Sequence, residues 1–269
     1  MSIHGDQMNE AASISVLPEG CLSEILSLTS PRDVCRAASI SKGFNTAADS
    51  DPVWERFLPP DYREIIGRAV SPVVVFGSKK QLYFSLSDSH IILDHAYLSF
   101  HLDKESGKKC YMLGAKELSI AWQDEPRYWE WEHITESRFP EVCILREGYS
   151  LGIQGKIAAE MLSQKSTYVV FLVFQTTQDT RGLAVPAKTK VSYGGTEMET
   201  ENVYLRRPQF QQENYVFPCL RNDGWMEMKL GEFECNEGDD GEVEMAFEEV
   251  TQRNWKSGLI VEGFELRPK

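Results

Sequence analysis

The chain has no apolar run approaching the ~20 residues that a membrane helix needs. Its first residues, MSIHGDQMNEAASIS, carry neither the basic nor the apolar part of a secretory signal. Basic charge is scarce: 28 Lys and Arg stand against 41 Asp and Glu, a formal net charge of -13 over 269 residues. That balance opposes an anionic partner, so neither nucleic acid nor a membrane surface is expected. The six cysteines (Cys21, Cys35, Cys110, Cys143, Cys219 and Cys235) form no CxxC pair, which removes the usual zinc frameworks. No N-x-[ST] acceptor occurs. Buried, reduced thiols in a cytoplasmic or nuclear protein are the expectation. A P-loop, GxGxxG, nucleophile elbow and HExxH are all missing, and the five histidines lack metal-ligand spacing. Acidic residues are numerous enough for a glycosidase pair, but nothing designates one. Neither catalysis nor a resident cofactor or metal is expected.

What is present falls into two patterns. Residues 1–14 read as a flexible tail. From 15 to about 70 the punctuation is helical, with a first segment at 15–60. Pro18 suits a first helical turn, followed by Leu22, Ile25 and Leu26 at i, i+3, i+4. In TSPRD, Ser30 suits an N-cap, Pro31 the first helical position and Asp33 the positive helix start. Val34, Ala37, Ala38 and Ile40 follow on one stripe, with Gly43 as a C-cap. A third helix starts at SDPVWERFL, with Asp51 capping. DYREIIGRA and SKKQLYFSL add helices to a linker at 61–95.

Beyond residue 95 the period changes. AYLSFHLDKESGKKCYML reads as a hairpin, and TYVVFLVF as a strand buried on both sides. WMEMKLGEF, EVEMAF and LIVEGFEL are further strands, divided by turns such as RNDG and NEGDDG. The fold class is mainly β with N-terminal α: three helices, then an antiparallel β-sandwich of jelly-roll type over 96–269.

Three short helices cannot bury Leu17, Leu22, Ile25, Leu26, Val34, Ile40, Phe44, Val53, Trp54, Phe57 and Leu58 together. The surplus belongs against the chain's own β-domain or against a partner. The stretches LPEG, TSPRDVCRAASISKGF and AADSDPVWERFLP resemble the F-box of plant phloem-lectin-type F-box proteins. That resemblance implies docking on the Skp-type adaptor of a cullin ubiquitin ligase. It places Leu17, Pro18, Ile25, Leu26 and Trp54 on the docking surface.

LSIAWQDEPRYWEWEH gathers Trp122, Tyr128, Trp129 and Trp131. Leu118, Ile120 and Trp122 alternate on one face, and Trp129 and Trp131 on another. Aromatic rings suit both sandwich core and the C–H faces of sugars. In GWMEMKLGE, Trp225 shares a polar face with Glu227 and Lys229, either stacking on sugar or covering a hairpin end. KELSIAW, PRYWEW, LRNDGWMEMKLGEF, DGEVEM and NWKSGLIVEGFELRP resemble the phloem-lectin, or Nictaba-like, domain across 110–269. Family members bind N-acetylglucosamine oligomers and N-glycan cores. The resemblance implies Trp122, Trp129, Glu242 and Glu249 as sugar contacts. Glu242 and Glu249 lie seven residues apart, roughly 23 Å along a straight strand, and on opposite faces by parity. The nuclear-targeting run of the tobacco lectin has no counterpart; the region reads NVYLRRPQF.

The expectation is a non-catalytic bridge in the cytoplasm or nucleus: helices on the ligase adaptor, sandwich on a glycan or glycoprotein substrate. A stress lectin with little ligase role and a protein receptor without sugar affinity are the alternatives.

Overall fold

The computed structural model describes residues 17–72, 77–197, 202–208, 215–238, 240–249 and 254–269. The tail expected at 1–14 lies outside them. Among the described residues there are six short α-helices: α1 (Glu19–Ser27), α2 (Pro31–Ala37), α3 (Lys42–Ala48), α4 (Asp51–Phe57), α5 (Tyr62–Gly67) and α6 (Lys79–Asp88). No described helix is long and apolar enough to cross a membrane. The chain divides into two compact units. The first draws on residues 17–58, 77–85 and 104–107 of the described chain, and the second on the remainder. The expected linker at 61–95 is therefore not a separate segment. Residues 61–72 and 86–95 belong to the second unit and 77–85 to the first.

In the first unit, α2 begins as its sequence dictates. The Ser30 hydroxyl accepts the Asp33 amide at 3.1 Å, and Pro31 opens the helix. Gly43 does not end this helix. It lies inside α3, a helix the periodicity concealed, whose cap is Ser41 accepting the Phe44 amide at 3.3 Å. Ser50, not Asp51, precedes α4. The extra helix changes the burial account. Leu22, Leu26, Val34, Phe44, Ala47, Val53 and Trp54 form a closed core. Trp54 is fully buried: its indole N–H donates to the Ala48 carbonyl at 2.6 Å, and the rings of Tyr83 and Phe84 lie 5.1 and 5.2 Å away. Leu26 and Trp54, expected on a docking surface, are core instead. Leu17, Pro18, Ile25, Leu28 and Ile40 stay exposed.

The second unit holds fifteen strands among the described residues. They are β1 (Ile91–Leu93), β2 (Leu98–Leu102), β3 (Lys109–Gly114), β4 (Ser119–Ile120) and β5 (Trp129–Glu132), then β6 (Val142–Leu145), β7 (Gly152–Ala158), β8 (Ser166–Arg181), β9 (Pro186–Tyr193) and β10 (Thr196–Glu197), and last β11 (Asn202–Tyr204), β12 (Cys219–Leu220), β13 (Met226–Cys235), β14 (Glu242–Glu249) and β15 (Ser257–Pro268). Nine strands form one sheet along β1-β2-β3-β15-β8-β13-β12, with the β5–β6 pair joined to β15 through β6. Six form the other along β10-β9-β14-β7-β4, with β11 on β9. All named strand pairs are antiparallel.

Alternation builds the space between the sheets. Tyr168, Val170, Leu172 and Phe174 of β8 are buried, as are Val243, Met245 and Phe247 of β14. Two glycines allow close approach: a Cβ on Gly155 would meet Leu118 and Phe264, and one on Gly231 would meet Val191. The outer face of the nine-stranded sheet is covered as well. Met112, Phe139, Val142, Val173, Trp225 and Ile260 form a second apolar cluster there. Trp225 is thus not on a solvated polar face. It is buried, and its indole N–H donates to the Glu136 carbonyl at 3.2 Å. All six cysteines are free; Cys110, Cys143 and Cys235 are buried, whereas Cys21, Cys35 and Cys219 are exposed, against the expectation of burial.

Beside this cluster the buried Glu265 accepts Arg138 Nη1 at 2.7 Å and Arg221 Nη1 at 2.5 Å. Burial pushes its carboxyl up, but Arg138, Arg221 and Arg267 outweigh that and hold it at about 2. A depressed folded pKa stabilises the fold fully above the unfolded value of about 4.3, and the contribution is lost as pH falls through about 2. Glu265→Gln leaves Arg138 and Arg221 without that partner, and the expected cost is about 3–5 kcal/mol in urea unfolding at pH 7. The difference from the unsubstituted protein should shrink as pH drops below 4.

Candidate functional site

The turn after β4 carries the first element of the site. Leu118 and Ile120 are buried, as alternation requires. Trp122 does not continue them. The chain turns after Ile120, and Trp122 takes φ 66°, a left-handed conformation rare for a bulky side chain. The turn is tied down locally: Gln123 N–H donates to the Ile120 carbonyl at 3.1 Å, and Glu125 N–H to the Trp122 carbonyl at 3.0 Å. Gln123 Oε1 accepts the Ile120 amide at 3.1 Å. The result is an indole 65% exposed.

Trp129 supports this turn from below. It is buried in β5, and its indole N–H donates to the Ala121 carbonyl at 2.9 Å. One edge of Trp129 still faces a cavity of about 460 Å3, lined also by Ala121, Trp122, Tyr128, Leu145, Gly148, Tyr149 and Ser150. That volume lies in the usual range for small-molecule sites, roughly 300–1,000 Å3. The Tyr128 ring is 6.3 Å from Trp122, with the Arg127 guanidinium 5.7 Å from its centroid. Trp131 faces elsewhere, under the Lys116 ammonium at 3.7 Å. Tyr149, also in this lining, stands 4.2 Å from Trp255, and both are about half exposed. Neither was singled out by sequence reasoning. Each is a lone aromatic in a loop, and the Gly148–Lys256 backbone bridge helps to bring them together.

Two family models match the chain: F-box-like over residues 14–59 and Phloem protein 2 over residues 108–268. The F-box protein PP2-B10 of Arabidopsis thaliana is 41% identical over 265 residues, covering 97% of this chain and 96% of that protein. The chain is an F-box member of the phloem protein 2 family. F-box protein At2g02240 of the same plant is 42% identical over 259 residues, with 94% of this chain and 79% of that protein covered. A family 35 carbohydrate binding module from Clostridium thermocellum overlaps 58% of this chain and 96% of its own at 10% identity and TM-score 0.33, too distant to support any reading of function.

In this phloem protein 2 chain, Trp122 and Trp129 meet at one cavity, but Glu242 and Glu249 do not meet at all. β14 pairs with β7 and β9 without a register shift, so the two carboxylates sit at opposite ends and on opposite faces of a regular strand. Glu242 is exposed beside Lys156 at 3.4 Å. The Glu249 carboxylate is buried against the Lys256 ammonium at 3.1 Å. Trp225 lies in the apolar cluster on the nine-stranded sheet and does not line the aromatic cavity.

A second cavity, about 510 Å3, opens over the Glu265 network. His90 and His101 stack there with centroids 4.4 Å apart, and their ring nitrogens lie within 4.8 Å of a Glu265 oxygen. Histidine spacing in the sequence did not suggest this pairing. Burial foremost, with the nearby guanidiniums, pushes His90 down to about 3 and His101 to about 4, so both rings are neutral at pH 7. The arrangement opposes a cation: both Glu265 oxygens already accept guanidinium protons, and three arginines would repel the charge.

Backbone strain of this kind persists where the surroundings over-determine it. Asparagine adopts the left-handed region far more readily than tryptophan. Trp122→Asn is therefore expected to retain or raise thermal stability, by about 1 kcal/mol at most, while removing the exposed indole from the cavity. Differential scanning calorimetry of the two proteins checks this.

Proposed function

We propose that this protein is the substrate-recognition subunit of an SCF-type ubiquitin ligase, holding a Skp-type adaptor with its helical unit and a carbohydrate-bearing substrate with its sandwich. The observation that carries the reading is the exposure of Leu17, Ile25, Leu28 and Ile40 on a helical unit that the F-box-like model matches. Leu22, Leu26 and Trp54 close the interior, so these four side chains are the surplus left for a partner. Ile25 and Leu28 lie three residues apart along α1 and its C-terminus and present one apolar edge.

The sandwich supplies recognition. An aromatic-lined cavity with hydrogen-bonding backbone and a serine at its rim suits pyranose rings, whose C–H faces pack on indole and phenol and whose hydroxyls need polar partners. The protein performs no chemistry in this reading. It raises the concentration of a substrate lysine near the ubiquitin-loaded partner. One observation favours a second reading, a receptor for a protein surface: the acidic residues implied by resemblance do not converge on the tryptophans.

The test is adaptor capture. Ile25→Asp with Leu28→Asp is expected to lower capture of the adaptor at least tenfold. The unfolding midpoint should hold, since exposed positions tolerate change within about 0.5 kcal/mol. Undiminished capture by the folded double variant overturns the ligase reading. Glycan-array binding by the full chain separates the two recognition readings.

A further inference from the structure

The geometry points to a second sugar platform beside Trp122, the Tyr149–Trp255 pair, held in place by the buried Lys256–Glu249 ion pair. This deepens the carbohydrate reading above and rests on it. Three observations carry it.

The first is exposure. Trp122 is 65% exposed, Trp255 47% and Tyr149 46%. Large rings left half in water on three separate segments, two of them lining one cavity, are costly unless a ligand covers them. Trp122 rises from the turn after β4. Tyr149 lines the same cavity, and Trp255, outside that lining, packs on it at 4.2 Å and 57°. Aromatic rings from separate segments at one cavity suit a chain of pyranoses that offers a C–H face at more than one ring.

The second is the way the pair is held. The Lys256 ammonium is 1% exposed and spends its three donors inside the protein: on the Tyr149 carbonyl at 2.9 Å, the Asn254 carbonyl at 2.9 Å and the Glu249 carboxylate at 3.1 Å. The same lysine pairs through its backbone with Gly148 in both directions, at 2.8 and 2.9 Å. Glu249 N–H donates to the Leu151 carbonyl at 2.9 Å. One buried cation thus joins Glu249 and Asn254 to the segment carrying Tyr149. A buried pair of this kind is weak evidence of stabilisation but strong evidence of a specified geometry, since losing either partner leaves a buried charge.

The third is the fit behind Trp255. Gly182 sits at φ 67°, and a Cβ there would collide with the Trp255 carbonyl. The backbone at Trp255 is therefore fixed from two sides.

Glu249 is accordingly a positioning residue that acts through Lys256 and does not touch sugar. The experiment is calorimetric titration of the full chain with β-1,4-linked N-acetylglucosamine oligomers of two to five units. The unsubstituted protein should gain affinity with length. Trp255→Ala and Tyr149→Ala should each weaken the four-unit oligomer about three- to tenfold, the scale of one aromatic contact, and flatten the length dependence. Trp122→Ala should weaken every length. Glu249→Gln should weaken the longer oligomers like Trp255→Ala, and it should add nothing further in the Trp255→Ala background. A residue that merely supported the fold would weaken binding in both backgrounds. Unchanged four-unit affinity in both Trp255→Ala and Tyr149→Ala overturns the second platform. An additive Glu249→Gln effect overturns its positioning role. Absence of binding by the unsubstituted protein overturns the carbohydrate reading itself, and this inference with it.

Discussion

The pairing of β8 with β15 is the constraint on which the rest of the sandwich depends. It runs over ten partnered positions, interrupted by two register shifts. One of them leaves Glu262 as an extra residue between Val261, opposite Phe174, and Gly263, opposite Val173. At this point β15 changes its other neighbour. Ile260 and Val261 pair with β6, and Gly263 to Leu266 pair with β3. Gly263 is needed here because a Cβ would strike the Leu113 carbonyl. Glu262 accepts the Ser137 hydroxyl at 3.1 Å and the Arg138 amide at 2.8 Å, which fastens the 133–141 segment over the sheet.

That covering layer decides the character of the outer face. Charged side chains on a strand normally mark the solvated side. Here Glu265, Arg138 and Arg221 are largely withdrawn from water, and their mutual pairing makes the burial tolerable. The same layer swallows Trp225. It also presents the β5–β6 hairpin, whose Trp129 supports the turn bearing Trp122. The aromatic cavity is thus built on loops and turns positioned by a rigid sheet, which is where recognition residues concentrate.

Strain and exposure converge at this cavity. Trp122 is the bulkiest of the four non-glycine residues at positive φ among the described residues, and it is also the most exposed tryptophan. A buried lysine holds the loop carrying Tyr149, while the helical unit keeps a separate set of leucine and isoleucine side chains outward. Both features sacrifice stability for availability, and neither is required by the core.

Much was legible before any coordinate. Local rules act over three or four residues, so the Ser30 cap, the Pro31 start, the β2–β3 hairpin and the strand at TYVVFLVF could be read directly, although β8 buries one face and only half-buries most of the other. Strand parity separated Glu242 from Glu249, and a regular β14 keeps them on opposite faces. The motifs along the chain pointed to its family. What tertiary structure alone decided is which of those faces water reaches. Trp54 was counted as surplus because Ala48 of an unforeseen helix and the rings of α6, more than twenty residues downstream, are what cover it. Trp122 was placed in line with Leu118 and Ile120 because alternation cannot register a turn at φ 66°. Tyr149 and Trp255 lie more than a hundred residues apart and meet where Lys256 joins their segments. Periodicity states which side chains share a face; only packing between distant segments states what lies against it.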